Sequence, residues 1–166
     1  MAVLEVLTYP DERLKRVAEP VGTVDEGVRA FLADLEETLR AGPGAVGIAA
    51  PQVGRAQRIC IVDCSDRKKT PNHGRLVLID PEIEAWEGTV VGREGCLSVP
   101  DYTGNVVRAE AVTVAALDEA GERRRYDLEG FEARVVQHEM DHLEGLLFLD
   151  RLVSRRSDLF RRKVYR

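Results

Sequence analysis

The sequence predicts an α+β domain, with antiparallel β-sheets packed around a central helix that carries a His-Glu-x-x-His pattern and a short helix at the C-terminal end. Three observations carry that prediction. Two well-separated segments repeat apolar residues at helical spacing, several others concentrate β-branched residues between turn residues, and nowhere do strand and helix alternate as a doubly wound parallel sheet requires. The length of 166 residues suits one domain over 1–166, since a chain of this size buries roughly 70 % of its unfolded surface.

The first helix is expected from Val24 to Ala41. Thr23 and Glu26 have capping-box spacing, Val28, Phe31, Leu32, Leu35 and Leu39 form one apolar stripe, and Gly42 stops it. A polar loop from Ser65 to Gly74 separates strands at Arg58 to Asp63 and Leu76 to Asp80. A further strand at Ala111 to Leu117 turns at Asp118 to Gly121 and returns as Arg123 to Leu128. The second helix is expected from Glu129 to Leu147, with Ala133, Val136, Met140, Leu143 and Leu147 facing the core, and a short basic helix from Ser154 to Lys163 closes the chain.

Composition narrows the function classes. With 44 % hydrophobic and 32 % charged residues the chain has the balance of a packed globular protein. A net charge of −5 opposes general attraction to nucleic acid or an anionic membrane. The longest uncharged stretch, Ala41 to Gly54, has 14 residues interrupted by four glycines and two prolines, too short and broken to span a membrane. The first residues lack a basic segment followed by an apolar run, so the chain is expected to stay in the cytoplasm. Three cysteines, an odd number, argue against a disulfide framework. Cys60 lies in an apolar strand and reads as a core residue, while a zinc site from Cys60, Cys64 and His73 has no recognised spacing.

The chemistry concentrates in His138-Glu139-Met140-Asp141-His142. On a helix, two imidazoles four residues apart share one face and reach one metal ion, with Glu139 beside them as candidate general base toward a metal-held water. The bland alternative is two half-buried histidines next to a solvated glutamate. It is weakened because two of the chain's three histidines occur at this spacing. A metalloprotease with a third histidine six residues on has Phe148 in that place, and the one glutamate after His142, Glu144, is too close to be a ligand from a later helix. The third ligand is therefore expected upstream. His73, the three cysteines and several carboxylates are candidates, with Cys96 best placed between Gly95 and Ser98-Val99-Pro100.

Gly47-Ile48-Ala49-Ala50-Pro51-Gln52, Glu94-Gly95-Cys96-Leu97-Ser98 and Gln137-His138-Glu139-Met140-Asp141-His142 together resemble, in order and spacing, the three motifs of the bacterial-type peptide deformylases. Those enzymes remove the formyl group from the N-terminal methionine of new polypeptides. Leu7-Thr8-Tyr9-Pro10 and Phe148-Leu149-Asp150-Arg151-Leu152 extend the resemblance over nearly the whole chain. One departure is Ala45, where the family usually has glycine.

The resemblance implies Cys96, His138 and His142 as ligands of one divalent metal, iron(II) in the cell, with zinc, nickel or cobalt as alternatives. It implies Glu139 as general acid and base, with the Gln52 amide and the Leu97 backbone N–H stabilising an oxyanion. Val46, Phe131 and Val135 would line the methionine pocket, with Gly47 meeting substrate and Glu94 near the peptide backbone. The implied partners are formyl-methionyl nascent peptides.

Gly42 to Gly47 also matches G-x-G-x-x-G, but it follows a helix rather than a strand, so nucleotide binding is not expected. Arg155, Arg156, Arg161, Arg162, Lys163 and Arg166 form a basic end. It reads either as a solvated helix face or as a contact for the ribosome. Two rival readings remain at the level of sequence: a hydrolase with Cys96 as nucleophile, indifferent to chelators, and a non-enzymatic domain with a structural Cys-His zinc site.

Overall fold

A computed structural model describes residues 2–154 and 156–162. Helix α1 runs Glu26–Ala41 and buries the expected stripe of Val28, Phe31, Leu32, Leu35 and Leu39. Its cap corrects the expectation. Asp25, not Thr23, accepts a hydrogen bond from the Val28 N–H at 2.9 Å, because a carboxylate at that offset reaches the free amide three residues on.

The strands are β1 (Gly47–Ala49), β2 (Ile59–Asp63), β3 (Arg75–Glu87), β4 (Val90–Cys96), β5 (Val99–Arg108), β6 (Ala111–Leu117), β7 (Arg123–Glu129) and β8 (Leu159–Arg161). They form a five-stranded sheet in the order β1-β2-β3-β6-β7 and a three-stranded sheet in the order β4-β5-β8, with every pairing antiparallel. Helix α2 runs Gly130–Leu143 and carries the His-Glu-x-x-His residues.

Side-chain alternation explains how the larger sheet is covered on both faces. Ile59 and Ile61 of β2 pack with Val77, Ile79 and the stripe of α1. Cys60 and Val62, pointing the other way, pack with Leu76, Leu78 and the Ala133, Val136, Met140 and Leu143 face of α2. A third apolar cluster of Cys96, Val99, Val106, Leu147 and Phe148 joins the smaller sheet to the segment after α2.

Four features differ from the sequence-based expectations. Strand β3 continues past Asp80 to Glu87, although Asp80-Pro81 has the composition of a turn. Asp80 takes φ 52°, the register shifts there, and its carboxylate accepts the N–H groups of Val21 and Gly22 at 2.8 and 2.9 Å. Helix α2 ends at Leu143 rather than Leu147. Gly145 follows at φ 75°, pressed against the Lys15 backbone where a side chain would clash. Strands β1 and β4 carry the opening residues of the first two motifs and β5 follows the second, none of which composition alone marks as strand.

The expected basic helix over 154–163 is replaced by β8, whose Leu159, Phe160 and Arg161 pair with Gly104, Thr103 and Tyr102. Filling the edge of β5 with backbone hydrogen bonds outweighs the local helical propensity of an arginine-rich stretch. Arg155, Lys163 and Arg166 of the basic end lie outside the described residues. No helix among the described residues is long and apolar enough to cross a membrane.

Candidate active site

Strand β4 delivers Cys96 and helix α2 delivers the rest. Cys96 ends β4 and pairs across a tight turn with Val99. The register is irregular between Glu94 and Cys96, the kind of break that re-aims a side chain. Its Sγ lies 3.5 Å from His142 Nε2 and accepts hydrogen bonds from the Ser98 N–H at 3.4 Å and Gln52 Nε2 at 3.5 Å. One ligand atom each from Cys96, His138 and His142 falls within 4.8 Å of the others, and all three residues are buried. This is the one such His, Cys, Asp and Glu grouping among the described residues, and it leaves Cys60, Cys64 and His73 apart.

The donor set fits a divalent ion. A thiolate and two imidazoles converging from a turn and one helix face match the ligand types and number of an open catalytic site. Nδ1 of His138 is held by Glu94 Oε1 at 2.8 Å, which directs Nε2 inward. Glu139 Oε1 is buried without a hydrogen-bond partner among the described residues and stands 3.9 Å from His142 Nε2.

Two neighbouring carboxylates are driven apart in acidity. Burial raises the Glu139 carboxyl to about 7. Burial presses Glu94 the same way, but hydrogen bonds from Arg108 and His138 overcome it and hold that carboxyl well below the usual range. Burial pushes the His142 imidazole well down, the direction that favours the neutral form a metal ligand needs. A pair of carboxyls split in this way is the usual arrangement of one proton carrier and one fixed anion.

A cavity of about 280 Å³ opens on the site, lined in part by Val46, Gly47, Phe131 and Val135. Cys96, Leu97, His138 and Glu139 form its chemical wall. Gly47 is there because nothing larger fits: a Cβ would stand 2.6 Å from Glu139 Oε2. The departure at Ala45 is accommodated without a left-handed backbone, its methyl packing against the α1 cluster. Gln52 lies behind the cavity wall, 1 % exposed, with Oε1 on the Ala49 N–H at 2.9 Å and Nε2 on Ser98 Oγ at 3.1 Å.

Glu94, expected near the peptide backbone, lines the cavity with both carboxylate oxygens engaged by neighbouring side chains. Arg108 grips it at two points of 2.9 Å and Arg134 at 2.7 Å. Arg108 also bonds Asp141, which Arg151 holds from outside at 3.1 and 3.2 Å. Neither Arg108 nor Arg134 was marked by any motif, although Asp141 lies inside one. A larger cavity, about 610 Å³ beside Trp86, His73 and Glu132, holds none of the three candidate ligands.

Residues 3–158 match the polypeptide deformylase family. The chain belongs to that family. A peptide deformylase from Pseudoalteromonas translucida is 46 % identical over 164 residues, covering 99 % of this chain and 95 % of the relative. The crystal structure of a peptide deformylase from Legionella pneumophila superposes with TM-score 0.84 at 42 % identity, over 91 % of this chain and 86 % of that one. A class I type b peptide deformylase from Acinetobacter baumannii, solved with Met-Ala-Ser bound, gives TM-score 0.84 at 37 % identity, over 91 % and 99 % of the two chains. Deformylase membership makes the chain a metal-dependent hydrolase of N-formyl-methionyl polypeptides, and it sets aside both the cysteine-nucleophile reading and the purely structural zinc domain.

Proposed function

We propose that residues 1–166 act as one catalytic domain in the cytoplasm, with Cys96, His138 and His142 holding iron(II) and with zinc, nickel or cobalt able to take its place. The observation that carries this reading is the convergence of those three ligand atoms within 4.8 Å beside the partnerless Oε1 of Glu139. When bound, the ion supplies Lewis acidity toward water and the formyl oxygen.

Glu139 takes a proton from the attacking water and returns it to the amine nitrogen as the formyl C–N bond breaks, leaving formate and a free N-terminus. A carboxyl raised to about 7 serves both directions of that transfer. Gln52, through the Nε2 that reaches toward Cys96, and the Leu97 N–H stabilise the oxygen on which negative charge develops. Val46, Phe131 and Val135 receive the methionine side chain, and Gly47 lets the peptide pass beside Glu139. Glu94 acts by orienting His138 rather than by touching the peptide. The Met-Ala-Ser bound by the Acinetobacter relative has the sequence expected of a deformylated product.

Formate release from formyl-Met-Ala-Ser by anaerobically iron-loaded protein tests the reading. Loss of turnover in Glu139→Gln with the ion retained supports it, and unchanged turnover in that variant removes Glu139 from its role. The basic end is proposed to approach ribosomal RNA. Since β8 belongs to a sheet, charge reversal at Arg156 is a cleaner test than truncation, and unchanged ribosome co-sedimentation would argue against docking.

A further inference from the structure

The active-site cavity carries three guanidinium groups that the deformylation chemistry does not use. Arg67, from the loop after β2, lies over the Phe131 ring with Cζ 5.0 Å from its centroid. Arg93 of β4 lies over Phe160 at 3.7 Å and donates to Asn105 Oδ1 at 3.1 Å and Thr103 Oγ1 at 3.3 Å. Arg162, just after β8, covers Gly95, where a Cβ would meet its Nη2 at 2.6 Å. All three line the cavity.

The charges of Arg67 and Arg93 are held in place without being neutralised, and Arg162 adds a third at the cavity wall. Among the described residues none of the three forms an ion pair with a carboxylate. For Arg67 and Arg93 the supports are aromatic faces, and for Arg93 also an amide and a hydroxyl; such partners fix a guanidinium while leaving its charge exposed to a ligand. The cavity wall contains two carboxylates, Glu94 and Glu139, and Glu94 is already matched by Arg108 and Arg134. A chain of net charge −5 therefore presents a cationic cavity, and such a cleft focuses its field on whatever enters.

We propose that these arginines select formyl-methionyl chains that carry an aspartate or glutamate within the first few residues after the methionine. The formyl-methionine end is itself uncharged, so the arginines have no partner there. An extended chain advances about 3.3 Å per residue, which brings the second and third side chains past the mouth of a cavity this small. A carboxylate arriving there finds planar donors suited to bidentate pairing. The inference rests on the deformylase reading of the same site.

The test compares kcat/KM of the metal-loaded full chain for formyl-Met-Ala-Glu-amide, formyl-Met-Ala-Gln-amide and formyl-Met-Ala-Lys-amide, amidated so that no terminal carboxylate intervenes. The glutamate peptide is expected to exceed the glutamine peptide by about five- to tenfold at low ionic strength, with lysine below both. The spread should shrink in about 0.5 M salt, where the Debye length is only a few ångströms. Arg67→Gln, Arg93→Gln and Arg162→Gln should each lower the glutamate-to-glutamine ratio, and the double variant Arg93→Glu/Arg162→Glu should invert it.

Equal turnover of the glutamate and glutamine peptides overturns the inference while leaving the deformylase reading standing. No formate from any of the peptides overturns both. Equal turnover with ribosome co-sedimentation lost in Arg93→Glu likewise overturns it, and assigns the arginines to RNA phosphates instead.

Discussion

Oε1 of Glu94 accepts the Nδ1–H of His138 at 2.8 Å, and the same carboxylate is gripped by Arg108 and Arg134. The pair joins the second motif to the third across two elements, fixing both the tautomer and the direction of the candidate ligand. Glu94→Gln removes the anion and is expected to weaken metal binding by about 10- to 100-fold. It also leaves the buried Arg134 without its counter-ion and Arg108 with Asp141 alone, a loss on the order of 3–5 kcal/mol. Chelator competition and urea unfolding measure the two effects, and wild-type metal affinity in this variant would remove Glu94 from its orienting role.

Gly47→Ala places a methyl 2.6 Å from Glu139 Oε2. Glu139 must move, so kcat should fall by about tenfold or more, while metal content, set by Cys96 on β4 and by His138 and His142 on α2, stays at the wild-type level. Full activity in this variant would mean that Glu139 tolerates displacement and that its position is not what limits turnover.

The two core thiols predict an alkaline limit to stability. Burial pushes the Cys64 thiol from 9.0 up to about 12, with Glu132 adding to it, and burial raises Cys60 further. Both are protonated in folded and unfolded chains below pH 9, so they contribute no pH dependence there. Above it the unfolded chain releases protons that the folded chain keeps. The folded state then binds more protons, and stability falls as pH rises, by up to about 1.4 kcal/mol per pH unit for each thiol. Urea midpoints at pH 8 and pH 10 check this, with Cys64→Ala reducing the slope. Iodoacetamide at pH 8 should leave both cysteines unmodified until urea is added.

Gly104 of β5 lies where any side chain would press on Leu152, on Phe148 Cε2 at 3.1 Å and on the Asp158 carbonyl at 3.1 Å. Gly104→Val is expected to cost about 1–3 kcal/mol by overpacking, and protease nicking near β8 should rise as that strand loosens. An unchanged melting temperature would mean that the C-terminal strand adds little to the fold.

Local patterns made the first helix, β2 and the β6–β7 hairpin legible, because each repeats apolar or β-branched residues at its own period. The start of α1 was misplaced by two residues because Thr23 and Asp25 both offer capping oxygens, and only the distance to the Val28 amide separates them. Strand β5 contains Pro100, Asp101, Gly104 and Asn105, a turn-like composition that becomes strand by pairing with β4 on one side and β8 on the other. The arginine-rich end read as helix for the complementary reason, since its partner edge lies more than fifty residues earlier in the chain.

By itself the sequence determined the spacing of His138, Glu139 and His142 on one helical turn, together with the motif set that marks the deformylase family. Those features are local: an α-helix converts a separation of four residues into a shared face whatever surrounds it. What the tertiary structure decided was the company these residues keep. It bound Glu94 to Arg108, Arg134 and His138 across 14, 40 and 44 residues, and it gathered Arg67, Arg93 and Arg162 around one cavity. Charges so far apart in the chain meet only when two sheets close over a helix, and the low-dielectric interior then makes each partner's identity matter.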